Sequence, residues 1–126
     1  IIYGKTMTSK NIHIISDSYT LEKNKELSDI NIYNILVKDE KVLSKEISKL
    51  KNHSDLIILV NLNSLILNDI IKALDNLNIP IIFCSEESFE KINKINKIAS
   101  ITPYVIHGFK NETNNVLYEA IKKIIN

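Results

Sequence analysis

A chain of 126 residues has the mass for one hydrophobic core and little scope for two, so a single domain is expected. Hydrophobic residues make up 44% and charged residues 25%, a globular balance rather than a disordered one. A net charge of +1 offers no strong attraction to nucleic acid or anionic lipid, which leaves proteins as the favoured class of partner.

In chain order, Ile12-His13-Ile14-Ile15 reads as a short branched strand that stops at the polar turn Ser16-Asp17-Ser18. A first helix is expected near Thr20 to Leu27, with a thin apolar stripe. A second strand follows over Asn31 to Val37, then a helix over Val42 to Leu50 whose inward stripe is Val42 or Leu43, Glu46, Ile47 and Leu50. Asp55 to Val60 is nearly continuously apolar, as a central parallel strand must be when helices cover both faces of a sheet.

The next helix carries Leu62, Ile66, Ile70, Ala73, Leu74 and Leu77 on one face and ends near Asn78 and Pro80. Ile81 to Cys84 gives a fourth strand, and Ser85 is placed as the cap of a turn into a fourth helix, Glu86 to Lys97. A short fifth strand, Pro103 to Ile106, leads through His107-Gly108-Phe109 into a last helix with Val116, Leu117, Ala120, Ile121 and Ile124 inward. This alternation predicts a three-layer α/β sandwich built from right-handed crossovers. By analogy with flavodoxin-like domains the five-stranded parallel sheet is expected in the order 2-1-3-4-5, with functional loops at the carboxyl ends of strands one and three.

The single Cys84 excludes an internal disulfide and, at the end of an apolar run, reads as a buried structural thiol. Apolar runs are interrupted well before bilayer length, and Ile1-Ile2-Tyr3 is too short for a signal sequence, so a cytoplasmic domain is expected. Residues 1–9 read as a flexible lead-in or an artificial extension, residues 10–126 as the domain, and the whole as a piece of a longer polypeptide. The abundance of Ile, Asn and Lys reads as coding bias, with no functional weight on the Asn-rich stretches.

Three stretches, Asp55-Leu56-Ile57-Ile58-Leu59-Val60, Pro80-Ile81-Ile82-Phe83-Cys84-Ser85 and Tyr104-Val105-Ile106-His107-Gly108-Phe109 followed by Leu117-Tyr118-Glu119-Ala120-Ile121, occur in order and with suitable spacing. On these the chain resembles, over nearly all of Lys10 to Ile125, the receiver domains of the bacterial response-regulator superfamily, the CheY-like fold, in an atypical, degenerate form. The resemblance implies a pocket of Ser16, Asp17, Val60, Ser85 and His107. Ser16-Asp17 matches the acidic Mg²⁺-binding position with one carboxylate, and Val60 stands where the phospho-accepting aspartate belongs. Ser85 matches the hydroxyl that senses the phosphoryl group, His107 the lysine, Gly108 the proline after it, and Tyr104 the aromatic switch residue.

A valine has no nucleophilic or metal-ligating atom, and one carboxylate holds Mg²⁺ weakly. No metal, cofactor or catalytic residue is therefore expected, and the chain is not expected to be an enzyme. Asn61, next to Val60, is a poor substitute, because a one-residue shift reverses its face. Asp17 and Ser85 also read as helix or turn caps, and His107 as a strand terminus. The three histidines lack a zinc-binding pattern, the two glycines form no phosphate loop, and Lys91, Lys94 and Lys97 read as a solvated helix face.

The expected function is a phosphorylation-independent, receiver-like module for protein interaction or regulation. Its contact, to a protein partner or as a homodimer, is placed on the surface of the fourth helix, fifth strand and fifth helix, with Tyr104, Phe109, Tyr118 and Lys94 at the interface and no nucleic acid or membrane contact. The alternative is a small-ligand sensor or divergent flavodoxin-like enzyme using the crevice around Asp17, Asn61, Ser85 and His107.

Overall fold

The computed structural model of the chain describes residues 10–22, 29–62, 68–85, 104–107 and 112–125. Strand β3, Leu56–Val60, consists of five apolar residues, all buried. Such a run needs apolar cover on both faces, and receives it. Ile57 and Leu59 join a cluster with Leu43 and Ile47 of helix α1, Glu40–Ser48, and with Ile70 and Leu74 of helix α2, Asn68–Asp75. Leu56, Ile58 and Val60 join a second cluster with Leu117 and Ile121 of helix α3, Thr113–Ile125. Helices thus lie on both sides of the sheet, and the domain has three layers.

The sheet has five parallel strands, β1 Lys10–Ser16, β2 Ile30–Leu36, β3, β4 Ile81–Ser85 and β5 Tyr104–His107, in the order 2-1-3-4-5. The expected order is the observed one, and three helices lie among the described residues. Strand bounds move by one or two residues from the expected ones, most at β1, which begins at Lys10. Asp55 precedes β3 and exchanges bonds with Asn11, its N–H donating to the Asn11 carbonyl at 2.8 Å and its carboxylate accepting from the Asn11 N–H at 2.8 Å.

Helix α1 is capped by Asp39, whose Oδ1 accepts from the Val42 N–H at 2.9 Å. The helix begins earlier than the apolar stripe suggested because this cap lies before it. Leu43, Ile47 and Leu50 are buried, while Glu46 lies at the flank and pairs with Lys49 at 3.4 Å. Asn52, Asn61 and Asn78 have positive φ, 67°, 56° and 56°. Each closes a turn in the left-handed region that asparagine tolerates better than other residues with a Cβ.

Two expectations need correction. The first helix was expected from Thr20, but Thr20 to Glu22 are not helical. Leu21 is instead buried against the α3 side of the sheet, and the side chain of Asn34 occupies both of its backbone polar groups. Ser85 was expected as a cap beyond the fourth strand. It is the last residue of β4, in register with His107 of β5. Residues 1–9, most of the first helix, Ile66, the fourth helix with Lys94, and Phe109 lie outside the described residues.

Candidate functional site

The carboxyl ends of β1, β3, β4 and β5 form a rim in which Ser16, Val60, Cys84 and Ile106 lie in register as successive neighbours. Paired residues in neighbouring strands share a face, so this row lies on the α3 side, where Val60 and Cys84 join the buried cluster and Ile106 packs against it. Val60 has no exposed surface. The point matched to a phosphoacceptor is thus a packed aliphatic side chain flanked by a hydroxyl and a thiol.

Ser16 is buried, and its Oγ donates to the carbonyl of Tyr19 at 2.5 Å. Asp17 lies beyond the strand end and is exposed, its Oδ1 accepting from Ser18 Oγ at 3.3 Å. Strand alternation turns Ser85, one residue past Cys84, to the opposite face, that of Phe83. Only the backbone position of His107, opposite Ser85, and that of Tyr104, opposite Ile82, are described. The structure therefore joins Ser16 with Val60 in one row and Ser85 with His107 in the next, and leaves Asp17 at the surface. Asn61 leaves the rim through its left-handed turn, its N–H donating to the Cys84 carbonyl at 2.9 Å. Among the described residues no three His, Cys, Asp or Glu side chains converge as a metal site.

The segment after β1 is fastened from three sides. The Ser16 hydroxyl holds the Tyr19 carbonyl, Asn34 of β2 holds Leu21, and α3 contributes two contacts, Asn114 Oδ1 accepting from the Tyr19 hydroxyl and the Tyr118 hydroxyl donating to the Glu22 carbonyl. Tyr118 is thereby directed towards this segment. Asn34 and Tyr19 were not singled out from sequence, since neither belongs to an apolar period or a motif.

A groove of about 380 Å³ runs between β5 and α3, lined by Ile106, Asn115, Val116, Glu119, Ala120 and Lys123. Leu117 and Ile121 are buried beneath the helix, while Val116 and Ala120, expected inward, are only partly covered. The signal was in the sequence: Val116, Leu117, Ala120, Ile121 and Ile124 span a wider arc than one sheet face covers. Glu119 bonds Lys122 at 2.7 Å, and that bond and charge hold its carboxyl below the usual range.

At the opposite end of the sheet His13 is tied into the structure. Its Nδ1 is hydrogen-bonded to Ser54 Oγ at 2.8 Å, and that oxygen also lies 2.9 Å from the Leu56 carbonyl. Its ring stacks on Tyr33 with centroids 4.9 Å apart. Burial, reinforced by the charge of His53 and opposed by Asp55, holds the imidazole below its ordinary 6.5. His13 is thus held at the edge of the core by Ser54 and Tyr33. No helix among the described residues is long and apolar enough to cross a membrane.

No protein-family model and no curated protein matches the chain. Among solved structures it is similar to a yeast Spc42 trimeric coiled-coil segment fused to another protein, with a TM-score of 0.61 and 18% identity over 94% of this chain and 76% of that one. At that identity the likeness concerns the fold alone. With the sheet order, it supports a generic flavodoxin-like, receiver-like α/β fold.

Proposed function

We propose that the chain is an atypical receiver domain, a cytoplasmic module that works by contact with a protein and performs no phosphoryl transfer or other catalysis. The observation that carries this reading is Val60, fully buried between Ser16 and Cys84 at the carboxyl rim. Phosphoryl transfer to a receiver needs an oxygen nucleophile and a hard-cation site at that point, and valine supplies neither. Asp17, turned to solvent beside Ser18, is poorly placed to converge with it.

The contact surface is assigned to the side of the expected fourth helix, β5 and α3. Its support is the groove beside α3, where Ile106, Val116 and Ala120 give an apolar floor and Asn115, Glu119 and Lys123 a polar rim. An apolar centre within a polar rim is the usual distribution of interface residues. Tyr104, Phe109 and Lys94 belong to the same proposal through the family resemblance. The partner is another regulatory protein, an attached domain or a second copy.

Incubation with acetyl phosphate and Mg²⁺, followed by intact-mass measurement, tests the chemistry: only the unmodified mass is expected, and a stable stoichiometric adduct overturns the reading. Val116→Asp and Lys94→Glu test the surface, each expected to weaken partner binding with the circular dichroism spectrum unchanged.

A further inference from the structure

The two large hydrophobic residues exposed among those described, Tyr33 at 47% and Leu36 at 54%, lie on the same strand, β2, at the edge of the sheet. That strand, Ile30-Asn31-Ile32-Tyr33-Asn34-Ile35-Leu36, is seven residues long and contains no charge, proline or glycine. Edge strands are usually protected by charged side chains, prolines, bulges or shortness, and β2 has none of the first two and is not short.

The direction of its backbone groups follows from two bonds. The Val37 N–H donates to the Ser16 carbonyl at 2.9 Å, and the Asp29 carbonyl accepts from the Lys10 N–H at 3.4 Å. Odd-numbered residues therefore turn their backbone groups towards β1. By alternation, Ile30, Ile32, Asn34 and Leu36 turn theirs outward, with no strand beyond them among the described residues.

We propose that β2 pairs antiparallel with β2 of a second copy of the chain, about a two-fold axis perpendicular to the sheet, to give one continuous sheet of two domains. Antiparallel pairing about such an axis places outward-turned residues opposite each other, which even-with-even pairing satisfies. Charge selects the direction and the register. A parallel arrangement brings Asp29 beside Asp29 and Lys38 beside Lys38, whereas the antiparallel one places the Asp29 end of one copy next to the Lys38 end of its partner.

The register with Tyr33 opposite Tyr33 fits best. It sets Leu36 over Ile30 of the partner and Ile32 opposite Asn34, covering both exposed hydrophobic residues. Of the two registers shifted by two residues, one sets Asp29 opposite Asp39, an unfavourable like-charge pair directly across the strands, and the other sets Leu36 opposite residue 28, beyond the start of the partner's strand. Tyr33 then occupies a pair without mutual backbone bonds, where opposing side chains stand closest, and the two rings meet at the axis.

Sedimentation of the intact chain from low to high micromolar concentration tests the arrangement. Wild type is expected to dimerise with concentration, and Leu36→Lys and Tyr33→Lys to remain monomeric with unchanged circular dichroism. At low salt Asp29→Lys or Lys38→Asp alone should weaken the dimer about fivefold, and the two together should restore it. Tyr33→Cys should form a disulfide-linked dimer on mild oxidation, while Lys51→Cys, on an exposed turn away from the edge, should not. A wild type that stays monomeric throughout overturns the proposal. So does a dimer that survives Leu36→Lys, or one that Tyr33→Cys does not cross-link. Because Val116 lies on α3 and Lys94 is not part of β2, their variants leave this dimer intact, and its loss or retention is independent of the surface assigned above.

Discussion

The side-chain amide of Asn34 holds both backbone polar groups of Leu21, accepting from its N–H at 3.0 Å and donating to its carbonyl at 3.1 Å. A single side chain thereby does for Leu21 what a neighbouring backbone does inside a sheet. The residue is buried at 1% exposure without belonging to a strand or a helix.

Asn34→Ala is expected to destabilise the domain by about 1–3 kcal/mol, since it removes two bonds and leaves buried amide groups without partners. Urea unfolding measures the loss. Amide exchange localises it: the Leu21 N–H should exchange faster in the variant, while the amides of Leu56–Val60 should follow only the global change.

Ile58, without exposed surface in the central strand, packs in the cluster beneath α3. Ile58→Ala should cost about 2–4 kcal/mol by the methyl groups removed and the cavity left. A loss below about 1 kcal/mol in urea unfolding would show that the site collapses around the smaller side chain.

The pH dependence of stability should carry the mark of His13. Its folded-state affinity for a proton is lowered, chiefly by burial and next by His53, against an ordinary value of 6.5. As pH falls the unfolded chain takes up this proton first. The contribution is therefore complete above about 6.5 and is lost as pH falls through the folded-state value. Urea midpoints between about pH 7 and pH 5 should fall more steeply for wild type than for His13→Gln. Equal slopes would assign the dependence to other groups.

Val60→Asp places a carboxylate at the rim position that the resemblance matches to a phosphoacceptor. It is expected to destabilise the domain by about 2 kcal/mol or more, because an acid replaces a fully packed methyl pair. No stoichiometric phosphoryl adduct should form with acetyl phosphate and Mg²⁺, since Asp17 remains turned to solvent. Unfolding and intact-mass measurements on the variant check both outcomes. Efficient phosphorylation would show that Val60 alone separates this chain from the chemistry.

The sheet was legible because its strands declare themselves by unbroken branched apolar runs, most clearly Leu56–Val60 and Ile81–Cys84, which need cover on both faces. The segment after β1 was not. Ser18 followed by Thr20-Leu21-Glu22 has the look of a capped helix start, and what prevents it is a set of distant side chains: Asn34, Asn114 and Tyr118. Ser85 misled in the same way, because a hydroxyl suited to a cap is equally accommodated at the end of a strand whose neighbour, β5, continues one residue further than its apolar run. At the candidate site the sequence placed Ser16, Val60, Ser85 and His107 at or near strand ends, but their division between two sheet faces followed only from the register of β1, β3, β4 and β5.

The left-handed turns at Asn52, Asn61 and Asn78 set a limit on how this sequence can vary. At these three positions a β-branched replacement drives its Cβ against a backbone carbonyl, at about 1–2 kcal/mol each. Diverging descendants of the sequence should therefore keep asparagine, glycine or aspartate there while their surroundings change. Of the three, Asn61 is the most constrained, for its turn also directs the chain off the rim and joins it to Cys84.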